Sequence, residues 1–247
     1  MERISSRRNP LCAHFKKLGA SRSYREACGE FLCDGIKLLE EAWRCGADIV
    51  AVIVSADLAF PLPPDTKVFV ADKSLIDSLS PLKSAQNVLF SCKIPENRIR
   101  SGPAGTRILL DGVQDPGNVG AIIRTANAFG IHEVILTGDC ADIYNPKTIR
   151  ATMGAIFRQR ICCMGIPELL RIKEGGVKFV GAALGEDSIE LGELCLKGAL
   201  IAVGSEGRGI SDAVLELCDS KVMIPIDPQC ESLNAAVAAA IMMWSVR

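Results

Sequence analysis

The stretch Leu109–Gly130, LLDGVQDPGNVGAIIRTANAFG, constrains the fold most, because it joins an apolar strand end, a turn and a helix within a short span. The turn DPGN is dense in residues that favour reversal of the chain, and it ends at Asn118, near the predicted N-cap. Apolar residues then recur at helical spacing from Val119 to a final glycine. This predicts a βα unit, and taken alone it is equally consistent with a capped helix that carries an exposed Arg124.

The second half of the chain continues as alternating strands and helices. Strands are predicted at Arg107–Leu110, Glu133–Thr137, Gln159–Cys163, Lys178–Ala183, Ala199–Val203 and Lys221–Ile224, and helices near Lys147–Phe157, Pro167–Glu174 and Ala235–Trp244. This alternation is typical of a parallel sheet with crossover helices. The glycines of Gly204–Gly209 are in the wrong order for a dinucleotide-binding fingerprint, which argues against an ordinary nucleotide-binding domain.

The first half predicts a separate small α/β sandwich. Residues 22–45 have a helical pattern, with a turn near Asp34-Gly35 between two short helices. Strands are predicted after them at Ile49–Val54, Lys67–Val70 and Asn87–Cys92, and a helix at Lys73–Leu79. A segment rich in Pro, Gly and Ser comes next. We therefore predict a first domain at residues 1–94, a linker at 95–106 and a second domain at 107–247.

Composition excludes several classes of protein. No apolar run approaches the ~18 residues of a membrane span, and Met1–Arg25 is basic without an apolar core, so we expect a cytoplasmic protein with no membrane partner. The eleven cysteines are an odd number, no CxxC occurs, and His14 and His132 are the only histidines. We expect reduced, mostly buried cysteines and no metal.

Net charge is −1, so the whole chain does not indicate a nucleic-acid partner. The first 25 residues are different, since they carry only one acidic residue, Glu2, against seven basic ones: Arg3, Arg7, Arg8, Lys16, Lys17, Arg22 and Arg25. Two interpretations stay open, a surface that holds RNA phosphates and a solvated tail.

Three stretches together resemble a known family. NVGAIIRTANAFG, Ile201–Ser211 (IAVGSEGRGIS) and Val222–Asn234 (VMIPIDPQCESLN) are similar, in order and spacing, to the three motifs of the SpoU/TrmH branch of the SPOUT RNA methyltransferases. The resemblance covers nearly all of residues 106–247 and implies a parallel-sheet domain with a deep C-terminal trefoil knot. Residues 1–94 resemble, more loosely, the ribosomal-protein-like substrate-binding domain of many SpoU enzymes.

The resemblance implies S-adenosylmethionine-dependent methylation of an RNA ribose 2′-hydroxyl. Gly204, Ile224 and Leu233 match the positions that hold the cofactor, largely through main-chain groups. Without the resemblance, simple core packing would explain Ile224 and Leu233 better.

Arg124 matches the family's catalytic arginine, and the other polar motif positions are Asn118, Glu206, Ser232 and Asn234. The family's proposals make the arginine a general base. A guanidinium pKa above about 12 leaves little neutral form at pH 7, so we favour Arg124 as a clamp on the phosphate beside the target ribose, oriented by Ser232 and Asn234. Departures from the family pattern are Ala235–Ala238, Asp227–Cys230 and Thr152, which place the shape of the cofactor loop and the substrate in doubt.

The extra N-terminal domain favours large-subunit (23S) ribosomal RNA as the substrate. Two alternatives are a tRNA ribose methyltransferase and a catalytically inactive ribosome-associated RNA-binding protein of the same fold. The final helix is almost wholly small or apolar, and a helix apolar all round must be covered on every side. We therefore expect a homodimer formed through the C-terminal domain, as the family resemblance also implies.

Overall fold

A computed structural model describes residues 2–56, 58–82, 85–95, 105–185 and 187–246. The chain divides into two compact units. The first unit is Met1–Glu96 together with Asp142–Arg158, and the second unit is Asn97–Ala141 together with Gln159–Arg247. The predicted boundaries at residues 94 and 107 stay predictions, and residues 96–104 of the predicted linker lie outside the described residues.

The first unit has a five-stranded sheet and five α-helices among its described residues. Its elements in chain order are β1 (Glu2–Ile4), α1 (Pro10–Ala20), α2 (Arg22–Cys28), β2 (Glu30–Asp34), α3 (Ile36–Arg44), β3 (Ile49–Val54), β4 (Lys67–Ala71), α4 (Lys73–Leu79), β5 (Val88–Lys93) and α6 (Pro146–Thr152), with a 3-10 turn at Ala155–Phe157. The strand order is β1-β4-β3-β5-β2. β1, β4 and β3 run parallel, whereas β5 is antiparallel to both β3 and β2.

The prediction for residues 22–45 is wrong in one respect. The two helices are present as α2 and α3, but the strand β2 lies between them instead of a turn. All five residues of β2 are buried, so the strand lacks the alternation that marks a half-exposed strand. The solvated-tail alternative is also wrong, because α1 buries Cys12, Phe15 and Leu18 completely.

Residues 142–158 complete the core of the first unit although they follow the first strands of the second. Ile149 is buried in a cluster with Phe31 and Phe90, and the rings of Tyr144 and Phe31 are 4.7 Å apart. The Arg25 guanidinium is 4% exposed, and its Nη2 donates to Asp142 Oδ2 at 2.5 Å. This segment is therefore tied to the first unit by apolar packing and by a buried ion pair.

The second unit has a seven-stranded sheet. Its elements are β6 (Arg107–Asp111), α5 (Pro116–Phe129), β7 (Glu133–Thr137), β8 (Ile161–Cys163), α7 (Ile166–Glu174), β9 (Phe179–Ala182), β10 (Ser188–Glu190), β11 (Leu200–Gly204), α8 (Asp212–Leu215), β12 (Ser220–Met223) and α9 (Ala235–Trp244). The strand order is β10-β12-β9-β11-β6-β7-β8, and every pairing is parallel. The predicted parallel α/β architecture is confirmed.

The central strands of this sheet are buried on both faces. All five residues of β6 and of β7 are buried, which explains their continuous apolar sequences. Because all seven strands run the same way, their carboxyl ends meet at one edge of the sheet. The three motifs begin at that edge.

All eleven cysteines are free thiols, but only Cys12, Cys33, Cys92 and Cys162 are buried, so the expectation that most of them are buried is wrong. Burial raises the pKa of the Cys218 thiol to about 11, and it also raises the pKa of Cys33 and Cys162. These thiols stay protonated at pH 7. Within the described part of the chain, no helix combines the length and the apolar character needed to cross a membrane.

Candidate active site

The loops after three parallel strands line one cavity of about 390 Å³ in the second unit. They come from residues 182–184 after β9, residues 203–210 around the end of β11, and residues 222–238 after β12, which include the start of α9. Gly204, Ile224 and Leu233 all line this cavity, and so do Glu206 and Ser232. Ile224 and Leu233 are half-buried, so they are open to a ligand and do not belong to the fully packed core.

Gly204 lies where the backbone folds back on itself. Ser205 and Gly209 exchange two backbone hydrogen bonds, of 3.1 and 2.9 Å, which close a five-residue loop. A Cβ atom on Gly204 would overlap the backbone of Gly209 and Ile210, closer than real Cβ contacts come. Only glycine therefore fits this position while the loop keeps its shape.

Three of the five polar motif residues form one hydrogen-bonded cluster, which we call the amide–carboxylate cluster: Asn118, Glu206 and Asn234. The side-chain amide of Asn118 donates to Glu206 Oε1, and Asn234 Nδ2 donates to Asn118 Oδ1 at 3.1 Å and to Glu206 Oε1 at 3.4 Å. Asn234 Oδ1 also caps α9 by accepting the amides of Ala236 and Val237. Glu206, which lines the cavity, is thus joined to one residue from each of the other two motifs.

The position of Asn118 differs from the sequence prediction. Asp115 is the N-cap of α5, Pro116 is its first residue, and Asp115 Oδ1 accepts the backbone N–H of Asn118 at 2.8 Å. An acidic cap followed by proline is a typical helix start, so this signal was available in the sequence. Asn118 lies in the first turn, where its side chain is free to reach Glu206.

Arg124 and Ser232 are both exposed. No hydrogen bond or ion pair joins the Arg124 guanidinium to another of the described residues, and Asn234 bonds Asn118 and Glu206 rather than Arg124. Six residues separate Asn118 from Arg124, which at about 100° per residue puts their side chains about 120° apart around α5. Arg124 therefore points away from the amide–carboxylate cluster of its own chain.

Sequence reasoning missed Asp111 as a supporting residue. It ends β6, is 6% exposed, and its Oδ2 accepts the backbone N–H of Ser211 at 2.6 Å. It thereby anchors the segment that follows the Gly204–Gly209 loop. Within the described ranges, no three His, Cys, Asp or Glu side chains gather as ligands for a metal ion.

Residues 105–244 match the model of the SpoU rRNA Methylase family. These residues include all three motifs, the cavity and the amide–carboxylate cluster. The chain belongs to the SpoU rRNA methylase family. The family resemblance found in the sequence is therefore confirmed.

This SpoU family member is similar along its whole length to named relatives. It is 32% identical over 251 residues to the 23S rRNA (guanosine(2553)-2′-O)-methyltransferase of Bacillus subtilis, with 100% of each chain covered. It is 26% identical to the 23S rRNA (uridine(2479)-2′-O)-methyltransferase of Streptomyces viridochromogenes, covering 98% of this chain and 90% of that one. Its fold matches the AdoMet-bound rRNA methyltransferase of Sinorhizobium meliloti with a TM-score of 0.88 and 25% identity, covering 100% of this chain and 97% of the other.

Proposed function

We propose that this protein methylates a ribose 2′-hydroxyl of 23S ribosomal RNA with S-adenosylmethionine as the methyl donor. The observation that carries the proposal is that motif 2 and motif 3 line one cavity, and that Glu206 at its wall is hydrogen-bonded to Asn118 of motif 1 and to Asn234 of motif 3. The full-length similarity to two 23S rRNA 2′-O-methyltransferases supports the substrate class. The absence of a membrane-spanning helix among the described residues is compatible with the cytoplasmic location that we propose.

The cavity fits the cofactor chemically. Ile224 and Leu233 line the cavity and offer apolar faces for an adenine ring, and Gly204, which has no side chain, leaves its backbone open to the ligand. When bound, S-adenosylmethionine supplies an electrophilic methyl group. The protein's part is to hold the acceptor oxygen in line with that group and to favour loss of its proton.

Arg124 is proposed as the clamp on the phosphate next to the target ribose. It is exposed and has no partner among the described residues, so its charge is available to RNA, and its fork of donors suits a phosphate. The positive charge also stabilises the alkoxide that develops on the ribose. Ser232, exposed at the cavity, and Asn234 are proposed to complete this polar surface from the other chain of a homodimer.

The catalytic unit is proposed to be a homodimer. Val237, Ala240, Ile241 and Trp244 recur along one face of α9; Val237 is 48% exposed and Trp244 is 60% exposed. Phe129 of α5 extends this surface, since its ring lies 5.7 Å from that of Trp244. A second copy covering the surface would bury it and would bring Arg124 of one chain to the cavity of its partner, which agrees with the 120° separation on α5.

The exposed cations of the first unit are proposed to hold RNA. Arg7, Arg8, Lys16 and Lys17 are exposed, whereas Arg25 is buried in its ion pair and is not available. Changing Arg7 and Arg8 to Ala should raise the KM for RNA and flatten its salt dependence by about two in the log–log slope, with kcat unchanged. The deep trefoil knot also stays a proposal, supported by the three C-terminal loops that converge on one cavity.

Cofactor calorimetry is the first test. Binding of S-adenosylmethionine with one site per chain is expected, and its absence would leave the inactive RNA-binding alternative. Mapping 2′-O-methyl groups on 23S rRNA from cells with and without the gene then tests the substrate. A missing methyl group on tRNA alone would reject the ribosomal assignment.

Complementation tests the shared site. Arg124→Ala and Asn234→Ala chains, each inactive alone, should regain about a quarter to a half of the activity when mixed, because heterodimers then hold one intact site. Val237→Glu with Trp244→Glu should give inactive monomers on sedimentation. An active wild-type monomer at nanomolar concentration would contradict the homodimer.

A further inference from the structure

A second cavity of about 490 Å³ lies on the other side of the Gly204–Gly209 loop. Its walls are the ends of β6 and β7, the start of α7 and that loop. Four residues, Ser205, Glu206, Arg208 and Gly209, line both cavities. One loop thus forms the common wall between the proposed cofactor site and this second space.

We propose that the second cavity binds the base of the target nucleotide and selects guanine. This inference rests on the proposed function. Methyl transfer requires the acceptor oxygen to lie about 3–3.5 Å from the methyl carbon, and we place the target ribose against the common wall, whose residues line both cavities. A nucleotide whose ribose sits there can place its base in the second cavity.

The polar lining of this cavity is dominated by hydrogen-bond acceptors. Asp139 is exposed, lines the cavity and has no hydrogen-bond or ion-pair partner among the described residues. Asp111 is 6% exposed; its Oδ2 accepts the Ser211 amide, while no hydrogen bond from the described residues reaches its Oδ1. The lining holds three carboxylates, since Glu206 is also present, against the single cation Arg208. This net negative charge disfavours a phosphate and favours an uncharged group that donates hydrogen bonds.

Gly138 keeps the free oxygen of Asp111 accessible. It has a φ of +62°, and a Cβ placed on it would lie 3.3 Å from Asp111 Oδ1. Any larger residue would therefore crowd the oxygen that we assign to the ligand. Ile166, 37% exposed at the start of α7, supplies an apolar surface for the face of a base.

Guanine is the base whose edge can donate two hydrogen bonds to one carboxylate. Its N1–H and N2–H₂ groups are adjacent donors, and an ionised carboxylate accepts both at once. Adenine and cytosine place a ring acceptor beside their amino group, and uracil places carbonyls on both sides of its N–H, so each would set an acceptor against the carboxylate. Arg208 lines the same cavity and can donate to the guanine O6.

The test uses the full-length protein and four mononucleotides followed by amide NMR. Guanosine 5′-monophosphate should give saturable shifts at Gly112, Gly138 and Ser211, and the adenosine, cytidine and uridine monophosphates should bind at least about tenfold more weakly. Inosine 5′-monophosphate lacks the N2 amine and should also lose about tenfold. Asp139→Asn should abolish the difference between guanosine and inosine monophosphates, whereas Glu216→Gln, an exposed carboxylate outside the cavity, should preserve it.

Saturable shifts that are equal for all four nucleotides, or absent from those three amides, overturn the proposal. So does an Asp139→Asn protein that still prefers guanosine over inosine monophosphate. A parallel titration with S-adenosylhomocysteine, read at Gly204 and Leu233, separates the two proposals. Failure of that titration alone rejects the proposed function, and failure of the guanosine monophosphate titration alone rejects the guanine site.

Discussion

The two units use strand direction in different ways. In the second unit all seven strands are parallel, and the loops at their carboxyl ends line two cavities that share one wall. In the first unit β5 is antiparallel to both of its neighbours, so its loops are divided between two edges of the sheet. Its buried polar groups serve packing through ion pairs, such as Arg25 with Asp142 and Glu30 with Lys93, as Arg107 and Glu133 do in the second unit. Strand direction, more than residue content, decides where loops can converge into a site.

The largest expected effect is a loss of stability in the first unit that leaves the second unit unchanged. Asp142→Ala leaves the buried Arg25 guanidinium without its partner, which should destabilise the first unit by about 3–5 kcal/mol. Each unit holds one tryptophan, so urea unfolding can be followed at Trp43 in a Trp244→Phe background and at Trp244 in a Trp43→Phe background. Asp65→Ala, at an exposed carboxylate of the same unit, is the control. Equal shifts of both transitions would contradict the division into units.

The second prediction concerns the common wall. Gly204→Ala forces the Gly204–Gly209 loop to open, so cofactor affinity should fall about 100-fold, equivalent to about 2.7 kcal/mol. Gly207→Ala is a matched control, because a Cβ there meets no atom within 4 Å. Calorimetry measures both variants. The Trp43 transition should not move in either, and similar losses in the two variants would argue against the close approach as the cause.

Acid stability sharpens the comparison further. Burial pulls the pKa of Glu30 upward, but hydrogen bonds from Lys93, His14 and Ser91 outweigh burial, and the pKa ends below its usual value. The stability that Glu30 adds is therefore complete above about pH 4.3 and is lost as pH falls through the lowered pKa. Glu30→Gln should cost the first unit about 1.5 kcal/mol at pH 7 and progressively less as pH falls through the lowered pKa.

Asp219 is the counterpart in the second unit. The backbone N–H of Phe179 and the Lys173 ammonium lower the pKa of Asp219 against a smaller upward effect of burial. Its side chain is 40% exposed, so Asp219→Asn should cost less than about 1 kcal/mol, with the same direction of pH dependence. The pH profiles of the Trp43 and Trp244 transitions test both variants; a Glu30→Gln protein whose loss persists unchanged at low pH would refute the linkage.

The smallest expected effect comes from an exposed ion pair of the first unit. Lys73 and Asp77 are 56% and 44% exposed and lie one helical turn apart in α4. Lys73→Ala should shift the Trp43 transition by only about 0.3–0.5 kcal/mol. A loss comparable to that of Asp142→Ala would show that burial does not govern the strength of these pairs.

The sequence predicted elements well where periodicity was strong. The bounds of β3, β7, α4 and α9 agree with those predicted, because apolar runs and helical spacing begin and end abruptly there. β2 was missed because its fully buried residues continue the apolar spacing of the preceding helix. α1 was not predicted although Asn9 caps it and Pro10 opens it, because basic residues stand between its buried positions Cys12, Phe15 and Leu18.

The site was predictable as a set of residues but not as an arrangement. The motifs named Asn118, Glu206 and Asn234, yet their mutual hydrogen bonds depend on loops that are far apart in the sequence and are joined only by the parallel sheet. The second cavity had no sequence signal, because Asp111 and Asp139 are ordinary loop residues until β6 and β7 pair side by side. Long-range pairing supplies this information, and local patterns do not contain it.

The placement of residues 142–158 in the first unit affects how the chain can fold during its synthesis. Arg25 leaves the ribosome 117 residues before Asp142. At about 5–20 residues per second, the guanidinium waits roughly 6–23 s for its carboxylate. The N-terminal unit therefore cannot finish folding as it emerges. It must remain open at this point until β6, α5 and β7 have been translated, so the nascent chain begins the second sheet before it can complete the first core.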